Sequence, residues 1–226
     1  MSARGLFVTG TDTGVGKTRV AVALIRALRA RGLRVAAMKP VSAGHAPGEL
    51  NEDVLALLQA GNVTADVRDM NPYAFAEPVA PHVAAALAGV RIEPDVIVAA
   101  YSRLAAMADV VVVEGAGGWR VPLNEHEDMA DLAQRLALPV VLVVGLRLGC
   151  LNHALLTAES VAHRRLPWAG WVGNQVEPAM PRAAENVACL HMRLPGPCLG
   201  VRGFLHGEIS PPNPPQWLTL PEGLVS

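Results

Sequence analysis

The sequence predicts an α/β fold, a doubly wound, mainly parallel sheet with helices on both faces. Three observations carry this. Short apolar, often β-branched runs alternate with helical patterns along the chain, the sign of βαβ units. The first run, Leu6 to Thr9, leads into a glycine-rich turn, then Gly16-Lys17-Thr18, then a helical pattern. A second run, Asp109 to Val113, is apolar without alternation, as a strand buried on both faces requires, and closes on Glu114.

Taken in order, strand one and its turn form a phosphate-cradling loop before a helix. The helix end offers unpaired N–H groups and partial positive charge to phosphate oxygens. Lys17 is placed to reach the outer phosphates, and Thr18 to sit on a magnesium ion. Five residues separate Gly10 from Gly16, one more than in the common P-loop. The helix runs from Arg19 to Arg31, with Val20, Leu24, Ala27 and Leu28 on one face and Gly32 ending it. Leu33 to Met38 is the next strand, and it delivers Lys39-Pro40-Val41-Ser42-Ala43-Gly44 at its C-terminal end, the edge where open sheets bind ligands. Lys39 is either a ligand-facing charge or a solvated strand end.

A short helix follows over Val54 to Ala60, with Asp53 in its first turn, where capping and ligand roles are both open. Asn71 to Pro81 is a proline-punctuated connection, either packing or a substrate wall. Helices follow over His82 to Ala88 and Pro94 to Ala108. After Glu114, placed as a magnesium ligand, the run Gly115-Ala116-Gly117-Gly118 permits close backbone approach. A helix over Asp128 to Leu136 precedes the strand Pro139 to Val144. Leu148 to Asn152 then opens a second anion-holding helix, which runs to His163. Pro167 to Asn174 is a strand delivering Asn174 and Gln175, whose amides suit a heterocycle edge. A helix over Pro181 to Arg193 and a strand over Pro197 to Val201 complete the core. Ser210 to Ser226 is proline-rich and read as draped on the surface. With no repeat or linker, the 226 residues read as one domain, residues 1–226.

Composition excludes other classes. The chain is 51% apolar and 17% charged with formal net charge -1, so it lacks the basic footprint of a nucleic-acid binder. Its apolar runs fall far short of the ~20 residues of a membrane span. The N-terminus carries no signal-peptide pattern, so a cytoplasmic location is expected. Three scattered cysteines, Cys150, Cys189 and Cys198, imply neither disulfides nor zinc and read as small buried residues. His126, among Glu125, Glu127 and Asp128, reads as a solvated loop rather than a metal site.

Lys17, Thr18, Lys39, Asp53 and Glu114 all fall near one sheet edge. They compose a P-loop NTPase-like site, with Thr18, Asp53 and Glu114 around magnesium and two lysines facing phosphate charge.

These residues resemble the dethiobiotin synthetase family. The matching stretches are Thr9-Gly10-Thr11-Asp12-Thr13 with Val15-Gly16-Lys17-Thr18, Lys39-Pro40-Val41, Asn71-Pro72-Tyr73, Phe75-Ala76-Glu77-Pro78, Val113 to Trp119, Leu148-Gly149-Cys150 with Asn152-His153, and Gly170-Trp171-Val172 with Asn174. The resemblance implies ATP- and Mg2+-dependent carboxylation and ring closure of 7,8-diaminopelargonate with CO2, through a carbamate and a carbamic-phosphoric anhydride. It implies catalytic roles for Lys17, Lys39 and Thr13. It places ATP on Gly14, Val15, Gly16, Lys17, Thr18, Arg19, Asp53, Glu114, Gly115, Ala116, Gly117, Asn174, Gln175, Gly203, Phe204 and Leu205, with Asn174 reading adenine. It places the substrate on Thr13, Lys39, Ser42, Ala43, Pro81 and Gly118. It further implies a homodimer in which Leu148, Cys150, Leu151 and Asn152 hold the carboxylate of the substrate bound to the other subunit.

The chain departs from the family where the hydroxyl stands at Ser42 rather than at Ala43, and where Val201 to Leu205 replaces a proline-containing loop. The alternative reading is a P-loop switch ATPase of the partitioning and maturation-factor type. Such proteins carry a further lysine early in the loop, which Thr11-Asp12-Thr13 lacks.

Overall fold

The structure is a computed structural model and describes residues 4–46, 48–204 and 215–224. Six parallel strands form the central sheet: β1 (Arg4–Gly10), β2 (Val35–Met38), β5 (Val110–Glu114), β6 (Val140–Leu146), β7 (Trp168–Gln175) and β8 (Cys198–Arg202). Their spatial order is β2-β5-β1-β6-β7-β8, every adjacent pair parallel. Helices α1 (Lys17–Arg29), α2 (Glu52–Ala60), α5 (Pro94–Met107), α6 (Met129–Leu136), α7 (Cys150–His163) and α8 (Ala183–Arg193) accompany it. The α/β doubly wound architecture is as the sequence predicts. All residues of β5 and β6 are buried, which is why their sequences show no polar alternation.

The connection from β1 runs towards β2, whereas that from β6 runs towards β7. Their C-terminal ends therefore flank the crevice where open α/β sheets hold ligands.

Three local readings change, and a small second sheet appears that the sequence does not predict. Strand β2 stops at Met38, and Val41–Ala43 (β3) pairs with Tyr73–Phe75 (β4) in a separate two-stranded sheet. Pro40 has no N–H for the main ladder, so the chain changes partners there. The connection Asn71 to Pro81 thus contains a strand, and a one-turn helix α3 (Val67–Met70) precedes it. Both are too short to leave a periodic signal. Helix α4 (Pro81–Leu87) follows. The tail, where described, is partly built in rather than draped: the Thr219 N–H donates to the Leu199 carbonyl at 2.7 Å, and Leu224 is buried in the core. Of the cysteines only Cys150 is buried; Cys189 and Cys198 are partly exposed.

Helix α6 is fastened by a capping box. The Asp128 carboxylate accepts from the N–H groups of Ala130 and Asp131 at 2.9 and 3.0 Å, and the Asp131 carboxylate accepts from the Asp128 N–H at 2.8 Å. Asp128→Ala is expected to cost about 1–2 kcal/mol and to lower Tm by about 2–8 °C in thermal unfolding. Asp128→Asn should retain most of the cap, because Asn caps about as well.

Candidate active site

The phosphate loop is built by two left-handed glycines and one apolar plug. Gly14 and Gly16 have φ of 74° and 89°. Between them the Val15 side chain turns inward. A Cβ on Gly10 or Gly145 would lie 2.6 or 2.7 Å from its methyl groups, so both flanking strands need glycine there. Asn174 Nδ2 donates to the Val15 carbonyl at 2.8 Å from above. Asp12 holds the near side of the loop: its carboxylate accepts from the Thr13 N–H at 2.7 Å and from Arg147 Nη2 at 2.5 Å. Helix α1 then starts at Lys17 with Gly16 as N-cap and no side-chain cap or first-turn acid. Its terminal N–H groups suit an anion.

At the mouth of this loop two cations and two carboxylates converge. The Thr18 hydroxyl lies 2.7 Å from Asp53 Oδ1 and 2.9 Å from Glu114 Oε1, one proton between two acceptors. Lys39 Nζ donates to Asp53 Oδ2 at 2.9 Å and to Glu114 Oε1. Lys17 Nζ donates to the Asp12 carbonyl at 2.9 Å. Asn51, not Asp53, caps α2, accepting from the Asp53 N–H at 3.0 Å; the Asp53 side chain is thereby left for the site.

Burial, then the nearby Lys39 charge, lowers the Lys17 pKa to about 8. Burial pulls the Lys39 ammonium down too, but Glu114 and Asp53 outweigh it and leave its pKa raised. Burial raises Glu114, and Lys39 only partly offsets this. In Asp53 the effect of Lys39 and Thr18 exceeds that of burial, so its pKa is lowered.

Two hollows meet at these residues. A cavity of about 230 Å3 is lined by Thr13, Gly14, Gly16 to Arg19, Lys39, Asp53, Glu114 and Gly117. A larger one of about 470 Å3 has mostly apolar walls from Val41 to Ala43, Pro78 to Pro81, Ala116 and Val121. Thr13, Lys39, Asp53 and Gly117 line both.

Other expected site residues stand apart from these hollows. Gly115 faces Phe7 and Met129 in the core, and Gly118 faces the loop backbone from Gly10 to Asp12. Asn174 is buried with both ends of its amide engaged, Nδ2 by Val15 and Oδ1 by Arg202 Nη1 at 3.2 Å. Gln175 donates to the Pro178 carbonyl. Leu148 is 98% exposed, Asn152 is exposed and Leu151 is partly buried, all away from the larger cavity. The Cys150 side chain is buried in an apolar cluster, so only its backbone is available there. Gly203 is exposed and Phe204 partly buried, whereas Leu205 lies outside the described residues. Asn51, Asn71 and Arg147 are site-organising residues that the sequence reading leaves without a role. Asn71-Pro72-Tyr73 was a visible signal, but nothing local says what Asn71 touches. Among the described residues no cluster of His, Cys, Asp and Glu forms a separate metal site. No helix among them is long and apolar enough to cross a membrane.

A parallel sheet with a phosphate loop at its switch point, and Lys, Thr and two carboxylates at its mouth, defines a P-loop nucleotide-dependent protein. The family described as AAA domain matches residues 4–201. Solved structures agree in fold. The septum site-determining protein MinD, complexed with Mg-ADP, from Pyrococcus horikoshii superposes with TM-score 0.57 at 14% identity, covering 89% of this chain and 81% of that one. The signal recognition particle receptor FtsY from Elizabethkingia anophelis gives 0.51 at 19%, covering 98% and 63%.

Sequence relatives are far closer. ATP-dependent dethiobiotin synthetase BioD from Nitrosospira multiformis is 52% identical over 198 residues, 88% of this chain and 87% of the relative. Those from Aromatoleum aromaticum and Pseudomonas aeruginosa are each 53% identical, over 88% and 86% of this chain and 89% and 87% of the relatives. The chain belongs to the ATP-dependent dethiobiotin synthetase family and is an ATP-dependent ligase.

Proposed function

We propose that the protein carboxylates 7,8-diaminopelargonate and closes the ureido ring of dethiobiotin, using ATP and releasing ADP and phosphate. The observation that carries this reading is the pair of hollows sharing Lys39, Thr13, Asp53 and Gly117. The smaller, polar hollow suits a triphosphate. The larger, with apolar walls and one charged end, suits an aliphatic diamine.

In this reading one amine adds to CO2 and loses a proton, giving a carbamate. A carbamate oxygen attacks the γ-phosphorus and ADP leaves. The second amine attacks the carbonyl carbon of the mixed anhydride, phosphate leaves, and a proton is lost. Carbamate and phosphoryl group are both anionic, so their approach needs fixed positive charge. Lys17 and Lys39 supply it from the two sides, while Thr13 and the first N–H groups of α1 orient oxygens. Thr18, Asp53 and Glu114 fit Mg2+: they are hard oxygen donors, and Glu114 Oε2 is buried without a hydrogen-bond partner. The ion, when bound, neutralises phosphate charge. Asn174 and Gln175 with Gly203 to Leu205 stand as the base-side residues of this proposal. Adenine reading by Asn174 would use the second N–H of Nδ2 and the second lone pair of Oδ1, since Val15 and Arg202 engage one of each. The unit is proposed to be one domain and a cytoplasmic homodimer, with Leu148 to Asn152 serving the partner's substrate.

Incubation with the diamine, bicarbonate, ATP and MgCl2 should give the ureido product by mass spectrometry, dependent on each component. ATP hydrolysis without diamine and without product would overturn the reading in favour of a switch ATPase. Sedimentation should give a dimer; monomer alone at assay concentration would remove the shared site.

A further inference from the structure

Ser42 lies in the wall of the larger cavity and is buried, as is Asn71 behind it. Asn71 Nδ2 is 2.7 Å from the Lys39 carbonyl and 3.2 Å from the Tyr73 carbonyl. Carbonyl oxygens only accept, so this end of the amide must be the NH2 group, and Oδ1 is the end facing Ser42. The Ser42 hydroxyl, 2.9 Å away, therefore has to donate to it. Its single proton is spent on Asn71, and what remains on Oγ is lone pairs.

We propose that Asn71 is a positioning residue that turns the Ser42 hydroxyl into an obligate acceptor, so that this wall binds an N–H of the substrate and not a carbamate or phosphate oxygen. The inference rests on the proposed function and adds to it. An oxygen of the substrate would meet lone pairs facing lone pairs, whereas an amine or carbamate N–H would meet an acceptor with no other donor to satisfy. The same amide ties Lys39 to Tyr73 across the change of sheet at Pro40. Asn71 thus sets both the direction of the lysine backbone and the polarity of the hydroxyl three residues on. The arrangement belongs to this chain's order of Ser42 before Ala43, since it is the Ser42 hydroxyl that meets Asn71.

Steady-state kinetics of ureido product formation, with diamine varied at saturating ATP and bicarbonate, tests this. Ser42→Ala should raise the KM for diamine about tenfold, the scale of one lost hydrogen bond to a polar substrate, with the loss falling on KM rather than kcat. Ser42→Thr, which keeps the hydroxyl, should recover most of it. Asn71→Ala should raise the diamine KM as well, by no more than Ser42→Ala does. The double variant should fall short of the product of the two single effects, because Asn71 acts through Ser42. Additive effects, or a Ser42→Ala diamine KM within twofold of wild type, would overturn the proposal. Should Asn71→Ala not fold, the Ser42 pair decides alone. Absence of ureido product from the wild type would instead count against the proposed function.

Discussion

Replacing Lys39 by methionine is expected to cut ureido product formation by about a hundred- to a thousandfold, the scale of one lost charge-stabilising donor. It should also weaken the fold. Lys39 and Glu114 are 5% and 0% exposed, and Lys39 is the only described cation in hydrogen-bond contact with Glu114. Removing one partner of such a pair leaves a buried charge at a cost of about 3–5 kcal/mol. In a chain of this size that lowers Tm by about 6–20 °C. Adding Glu114→Gln removes the stranded charge. The double variant Lys39→Met/Glu114→Gln should therefore regain much of the lost Tm while product formation stays at or below the level of Lys39→Met. Turnover near the wild-type rate in Lys39→Met would remove Lys39 from the mechanism. A Tm unchanged in the single variant would show that Glu114 takes up a proton or finds another partner. On sequence alone Lys39 could have been a solvated strand-end charge, whose loss the fold would not feel.

Gly16→Ala is expected to abolish useful nucleotide binding, with Kd rising at least about tenfold by calorimetry. Two separate effects add. The residue has φ of 89°, which an alanine adopts at a cost of about 1–2 kcal/mol. A Cβ there would also lie 2.2 Å from Asn174 Nδ2, so the amide must move and release the Val15 carbonyl. That bond holds the loop in place. Gly14 provides the control. Its φ of 74° is as strained, but a Cβ there meets nothing within 4 Å. Gly14→Ala should cost only the backbone term and lose distinctly less affinity than Gly16→Ala. Equal losses in the two variants would show that backbone strain alone matters and that Asn174 does not hold the loop.

Much of the molecule was legible without coordinates. Strand-loop-helix order, the long helices and the central strands follow from residue periodicity and from the positions of glycine and proline, which act within a few residues. Helix α5 spans Pro94–Met107 where the sequence predicts Pro94 to Ala108, because its proline start is local. The two-stranded β3–β4 sheet was not legible. Each strand has three residues, and the pairing depends on what Pro40 cannot do at the end of β2. The cap of α2 likewise went to Asn51, since Asp53 found stronger partners in a lysine and a threonine from other elements.

The sequence by itself determined the α/β class, the lengthened phosphate loop, and the residue types at its mouth: two lysines, a threonine and two carboxylates. Motif spacing along the chain carries that information, and it suffices to place the chain in its family. Only the tertiary structure decided how those groups stand towards one another. Lys39 meets Glu114 across 75 positions, Thr18 meets Glu114 across 96, and Asn174 meets Val15 across 159. The physical reason is that these contacts depend on strand order and register. β5 lies between β1 and β2, and that placement brings Glu114 beside Lys39 and buries it with one oxygen unpartnered. The same packing fixes the Asn71 amide against two carbonyls and so decides which way the Ser42 proton points.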